Sequence, residues 1–140
     1  MSPFNLEASA HQKSWADYQM ARIKNITFEL EDSLARYLAV AEKYKDSPFA
    51  DEALLRAGVI YYSNMRKPEE ALLCYHRITK DYPKSNEAIR AAYYIAEIYR
   101  WTKQIEKAKK SYSSFIRKYP QSGYASFAKE ELKTLAGKDG

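Results

Sequence analysis

The sequence has one cysteine, Cys74, in 140 residues, so it can form no internal disulfide, and its thiol content is silent about redox compartment. Histidine is almost as scarce. His11 and His76 are too few for a zinc site, and no paired-cysteine spacing completes one. Cys74 and His76 stand two apart, which on a helix points them to different faces, and Cys74 is expected to be a buried, inert thiol. Only four glycines are present, and no glycine-rich phosphate loop, nucleophile elbow or kinase-type segment appears. For Glu52, Glu97 and Glu130 a solvated or groove-lining role is expected rather than acid-base work. No catalytic residue, metal, cofactor or small-molecule substrate is assigned, and the chain is not expected to be an enzyme. The richest apolar run, ALLRAGVIYY at 53–62, is ten residues long and contains Arg56, so no transmembrane segment is expected. The opening MSPFNLEASAHQ lacks the basic-then-apolar pattern of a secretory signal.

What is present argues for a helical globular chain. Hydrophobic residues reach 46%, against a disordered or low-complexity class. The formal charge of +5 is unevenly placed: residues 1–70 carry 9 basic and 11 acidic side chains, and residues 71–140 carry 14 and 7. A basic half can attract nucleic acid or another polyanion, which is the alternative function class. Against it, Lys103, Lys107, Lys109 and Lys110 crowd one loop and helix start without aromatic or glycine-rich partners, the pattern of a solvated helix face.

Repetition is the dominant signal. DYPKS at 81–85 returns as KYPQS at 118–122, 37 residues later, and Tyr44-Lys45-Asp46-Ser47 precedes them by one period of 38. A fixed spacing in this range marks a repeat architecture. Proline lacks a backbone N–H and pushes the preceding residue out of helical geometry, and a serine two residues later caps the next helix. Tyr-Pro-x-Ser is thus a helix stop, an elbow and a helix start. Ser47 is expected to cap a helix with Pro48 at its first position and Phe49, Ala53, Ala57 and Tyr61 on one stripe. Pro68-Glu69-Glu70 starts another, with Ala71, Cys74, Tyr75 and Ile78 inward. Ser85 opens the next, carrying Ala88, Ala92, Ile95, Ala96 and Tyr99, and after WTKQ come Ala108, Tyr112 and Phe115. Residues 8–24 form a degenerate first helix with Trp15, Tyr18 and Arg22 at helical spacing, and Ser33, Tyr37, Val40 and Tyr44 match a second. Residues 123–136, with Lys129, Glu130, Glu131 and Lys133, read as a solubilising terminal helix.

Written out, one unit is Ala92-x2-Ile95-Ala96-x2-Tyr99-x8-Ala108-x3-Tyr112-x2-Phe115-x4-Pro120. This resembles the tetratricopeptide repeat, and the unit from Leu54 through Ala57, Gly58, Tyr61, Ala71, Tyr75, Ile78 and Pro83 fits with one extra residue in its turn. The resemblance implies an all-α, right-handed solenoid of antiparallel helix pairs with a C-terminal capping helix. It spans residues 25–136, after an N-terminal extension and degenerate helix at 1–24 and before a flexible tail at 137–140. Phe115 and Ile78 stand where the family prefers a small alanine. Long repeats joined by Tyr-Pro-x-Ser look like bacterial envelope members, such as the lipoprotein of the outer-membrane-assembly complex and the periplasmic coordinator associated with the Tol-Pal system. That likeness implies a periplasmic or envelope-associated place, with the cytoplasm as the alternative, and a subunit's role in an assembly that can be membrane-associated.

By the same resemblance, the first helix of each unit lines a concave groove through positions two, five, nine and twelve. Carried over, these are Glu52, Leu55, Val59 and Tyr62, then Arg90, Tyr93, Glu97 and Arg100, with Trp101 and Tyr94 adjacent. The helix-packing pattern leaves Tyr62 and Tyr93 unexplained, and aromatic and arginine side chains dominate binding hot spots. Tyr62, Arg90, Tyr93, Glu97, Arg100 and Trp101 are therefore the expected contacts to a protein partner, a peptide or helix of unknown identity.

Overall fold

A computed structural model describes residues 3–137, with side chains from residue 9 onward. Among the described residues seven α-helices follow one another: α1 (Pro3–Ile26), α2 (Leu30–Lys43), α3 (Ala50–Val59), α4 (Pro68–Asp81), α5 (Asn86–Trp101), α6 (Ile105–Lys118) and α7 (Tyr124–Gly137). A π-helical turn, Ile60–Asn64, continues α3, and no strand occurs among the described residues. The all-α expectation is met, with consecutive helices packed in pairs. The first helix begins earlier than residue 8. Gly137 closes α7, and the remainder of the expected tail, 138–140, lies outside the described residues.

The chain divides into two compact units, Met1–Cys74 and Tyr75–Gly140. In the N-terminal unit α1 packs on α2 and α2 on α3. Ser33 Oγ, at the start of α2, donates to the Ala21 carbonyl near the end of α1 at 2.7 Å. The Tyr44 hydroxyl, just past the other end of α2, donates to Asp17 at 3.1 Å, so the pair is antiparallel. Its core gathers Tyr18, Ala21, Tyr37, Val40, Ala57 and Ile60. On α1 the buried stripe is Ser14, Tyr18 and Ala21, while Trp15 and Arg22 face outward. In the C-terminal unit α5 packs on α6 and α6 on α7, around Ala96, Ala108, Tyr112, Phe115, Ala128 and Leu135. Alanines at these seams let helices approach closely while tyrosine and phenylalanine rings fill the space between them.

The three elbows are built alike. Tyr44, Tyr82 and Tyr119 each donate a backbone N–H to the carbonyl four residues back, and Ser47, Ser85 and Ser122 each donate to the carbonyl of that tyrosine. The serine side chains differ. Ser85 is a true N-cap in extended geometry, its Oγ accepting from the Ala88 N–H at 3.1 Å. Ser47 does not cap α3 as expected: its Oγ accepts from the Phe49 N–H at 2.9 Å, closing a turn, and the helix starts at Ala50. Ser122 does the same with Tyr124, at 3.1 Å. Phe49 has αR backbone angles, so the chain has already turned before α3 begins.

The turns inside the helix pairs also repeat. Phe28, Arg66 and Lys103 hold left-handed backbone angles (φ 61°, 56° and 65°) at spacings of 38 and 37 residues. Each follows a helix end, a place where glycine is common and a Cβ is strained, and Phe28 and Lys103 donate to the Asn25 and Arg100 carbonyls. After α1 and α5, Glu29 N–H reaches the Lys24 carbonyl and Gln104 N–H the Tyr99 carbonyl, both five residues back. After α3, Lys67 N–H reaches Tyr61, six back. The extra residue of the 38-residue period is thus absorbed by the π-turn, the usual way a helix takes up a single insertion.

Candidate functional site

Five of the six expected contacts, Arg90, Tyr93, Glu97, Arg100 and Trp101, lie on α5 in the C-terminal unit; Tyr62 lies half-buried on the π-turn of the N-terminal unit. Glu97 is the hub of the α5 set. The Tyr112 hydroxyl donates to its Oε1 at 3.0 Å, and Arg100 Nη2 and Trp101 Nε1 donate to its Oε2 at 2.9 and 3.2 Å. Tyr93 hydrogen-bonds to it as well. Burial alone would raise the Glu97 carboxyl; the bonds from Tyr93, Arg100 and Tyr112 outweigh that and hold it below the ordinary carboxylate value. Burial, and then the neighbouring Glu97 carboxylate, push the Tyr93 and Tyr112 phenols up, so both remain proton donors to Glu97.

Arg100 is fully engaged. Besides Glu97 it reaches Glu131 of α7 at 3.1 Å and donates to the Tyr112 oxygen at 3.2 Å, and its guanidinium lies 4.4 Å from the centroid of the Trp101 ring. Tyr93 is engaged too. Its ring stacks on Tyr124 with centroids 4.8 Å apart and meets the edges of Phe115 and Tyr112 at 5.7 and 6.2 Å. Tyr93 is therefore explained by packing, contrary to the pattern reading, because its neighbour is Tyr124 on the terminal helix, outside the repeat pair. Tyr94 is likewise occupied, against Tyr75 of α4 at 5.5 Å.

What remains available is a rim. Trp101 is 59% exposed although one face is covered by Arg100, and among the described residues Arg90 has its ion pair with Glu87, at a long 3.7 Å. Beside Arg90, an open pocket of ≈ 370 Å³ lies between α5 and α7, lined by Ile89, Tyr124 and Phe127. Phe127 is 62% exposed. Sequence reasoning passed over Phe127, yet the signal was there: it stands 37 residues after Arg90 and 75 after Glu52, at the second position of the next unit. Glu131, one residue off the groove positions, carries no such mark. Among the described residues, no three His, Cys, Asp or Glu side chains stand together as a metal set.

A helical-repeat chain whose pairs turn over every 37 or 38 residues is the class these elements define. The tetratricopeptide repeat family model matches residues 52–85 and 90–122. The first match covers α3, the π-turn and α4 with its elbow, the second most of α5, α6 and the following elbow. No curated protein matches the chain. Among the described residues no helix is long and apolar enough to cross a membrane.

Proposed function

We propose that the chain is a non-enzymatic protein-interaction module, a scaffold or adaptor that docks a partner peptide or helix on the α5 and α7 surface of its C-terminal unit. The observation that carries this reading is Arg90 and the exposed Phe127 at an apolar pocket, with the exposed Trp101 farther along α5, on a backing held by Tyr93, Glu97, Arg100 and Glu131. Aromatic and arginine anchors on a preorganised surface cost little entropy to use. The partner places an apolar side chain against Ile89 and Phe127 and a carboxylate on Arg90, whose single long pairing with Glu87 leaves its guanidinium more accessible than that of Arg100. Tyr62 is retained as a contact of the N-terminal unit. The long repeats joined by Tyr-Pro-x-Ser support a place in a periplasmic or envelope assembly, and cell fractionation tests that part separately.

Capture from the native source with the tagged chain, read by mass spectrometry, tests the docking site. Partners held by the wild type and lost from Trp101→Ala/Phe127→Ala support it. The same partners held by both chains would move the site elsewhere. Captured nucleic acid whose binding falls steeply with salt would instead favour the polyanion class.

A further inference from the structure

We propose that the C-terminal unit has a second docking site, formed by α4, α5 and α6, which takes an acidic protein segment bearing one aliphatic side chain. A pocket of ≈ 310 Å³ opens there. Its floor is apolar, made by Ala92 and Ile95 of α5 with atoms of Phe115 from α6, and its rim carries the ammonium groups of Lys110 and Lys118 of α6 beside His76 of α4, whose imidazole burial holds toward the neutral form. No acidic residue lines it. Lys110 and Lys118 are exposed and make no ion pair among the described residues, whereas the adjacent Lys109 bridges Glu106 at 3.7 Å. Lys118 rests its ammonium 5.5 Å from the Tyr119 ring, at the pocket's edge.

The internal repeat separates what the fold needs here from what it does not. Phe115 corresponds to Ile78 and Val40 one and two periods earlier, and Tyr119 to Tyr82 and Tyr44, so floor and elbow recur. The rim does not recur as a set, although Lys43 holds the Lys118 position over Tyr44. Lys110, Ser111, Ser114 and Lys118 correspond to Leu73, Cys74, Arg77 and Asp81 one period back, and to Ala35, Arg36, Ala39 and Lys43 two periods back. Helices α2 and α4 form without this set, so packing does not require it on α6. Two unmatched ammonium groups flanking an apolar floor attract carboxylates and desolvate an aliphatic group between them. The volume sits at the low end for a whole small molecule and suits one side chain of a longer segment. A nucleic acid fits less well: Phe115 is 2% exposed and Tyr119 half-buried, which leaves no open ring face on which a base can stack.

The test uses the full chain and a fluorescein-labelled peptide, Asp-Glu-Leu-Glu-Asp, read by fluorescence anisotropy. Lys110→Glu/Lys118→Glu is expected to weaken its binding by on the order of tenfold or more, with the helical circular dichroism unchanged because both side chains are exposed. Replacing the peptide's leucine by glycine should weaken it as well. Lys109→Glu and Trp101→Ala/Phe127→Ala should leave it as in the wild type, which keeps this site distinct from the α5 and α7 surface. Equal binding by the wild type and the double lysine variant overturns the proposal. So does a labelled single-stranded oligothymidylate that binds more tightly than the peptide and is lost in that variant.

Discussion

The two units carry the same aromatic skeleton 75 residues apart and hold it with different polar groups. Tyr18, Tyr37 and Phe49 correspond to Tyr93, Tyr112 and Tyr124. Tyr18 stacks on Phe49 at 5.5 Å as Tyr93 stacks on Tyr124 at 4.8 Å, and Tyr18 meets Tyr37 at 5.8 Å as Tyr93 meets Tyr112 at 6.2 Å. The brace is where they part. Tyr18 hydrogen-bonds to Glu52 of α3, itself 3.2 Å from Arg56. Tyr93 instead turns to Glu97 on its own helix, which Arg100 ties to Glu131 across to α7. The lesson is that ring packing is repeated because both units must bury the same seam, whereas the charged network is particular to one unit. Features particular to one unit are the ones a partner can select.

The largest effect that would break the parallel is loss of a ring. Tyr112→Ala and Tyr37→Ala, both essentially fully buried, are each expected to cost about 3–5 kcal/mol in denaturant unfolding. A cost under about 1 kcal/mol at either position would mean that the skeleton is not shared.

Removing only the hydroxyl sharpens the difference. The Tyr112 hydroxyl donates to Glu97 and accepts from Arg100, so Tyr112→Phe should cost about 1–3 kcal/mol. The charged groups that act on the Tyr37 hydroxyl, Arg56, Arg22 and Glu52, are partly or largely exposed, so Tyr37→Phe should cost about 1 kcal/mol or less. Equal costs would remove the distinction between the two braces.

Acid should act on the C-terminal brace. The folded Glu97 carboxyl lies below its unfolded value, so its contribution is present above the unfolded carboxylate range, about pH 4.3, and is lost as pH falls through the folded value. Unfolding midpoints of the wild type and Glu97→Gln, measured from neutral pH downward, should converge in acid. A gap that stays constant would show that the carboxylate does not contribute by ionisation. The smallest expected effect is at Lys103, whose left-handed backbone strains a Cβ: Lys103→Gly should gain up to about 1 kcal/mol, read from the same unfolding curves.

Most of the fold was legible in the sequence because helix stops, starts and alanine seams leave local marks. The Tyr-Pro-x-Ser elbows end α4 and α6 as read, and the stripes Ala71, Cys74, Tyr75, Ile78 and Ala108, Tyr112, Phe115 are found buried. The left-handed turns were not legible, since Phe28, Arg66 and Lys103 stand where glycine would have announced them. The π-turn showed only as one surplus residue. The candidate site was half legible: position within the repeat pointed to α5, but spacing along one helix cannot report Tyr124 and Glu131 arriving from α7. That arrival gives Tyr93 and Arg100 partners within the unit, on which the proposed division between support and contact rests.

The division between support and contact is tested most directly by measuring stability and partner capture side by side in Tyr93→Ala and Trp101→Ala/Phe127→Ala. Tyr93→Ala is expected to lower the unfolding free energy by about 2–4 kcal/mol, as for a large ring leaving a partly buried cluster. The double variant should unfold within about 0.5 kcal/mol of the wild type while losing the captured partner, because both side chains are largely exposed. A Tyr93→Ala chain as stable as the wild type that fails to capture, beside a double variant that captures normally, would contradict the account.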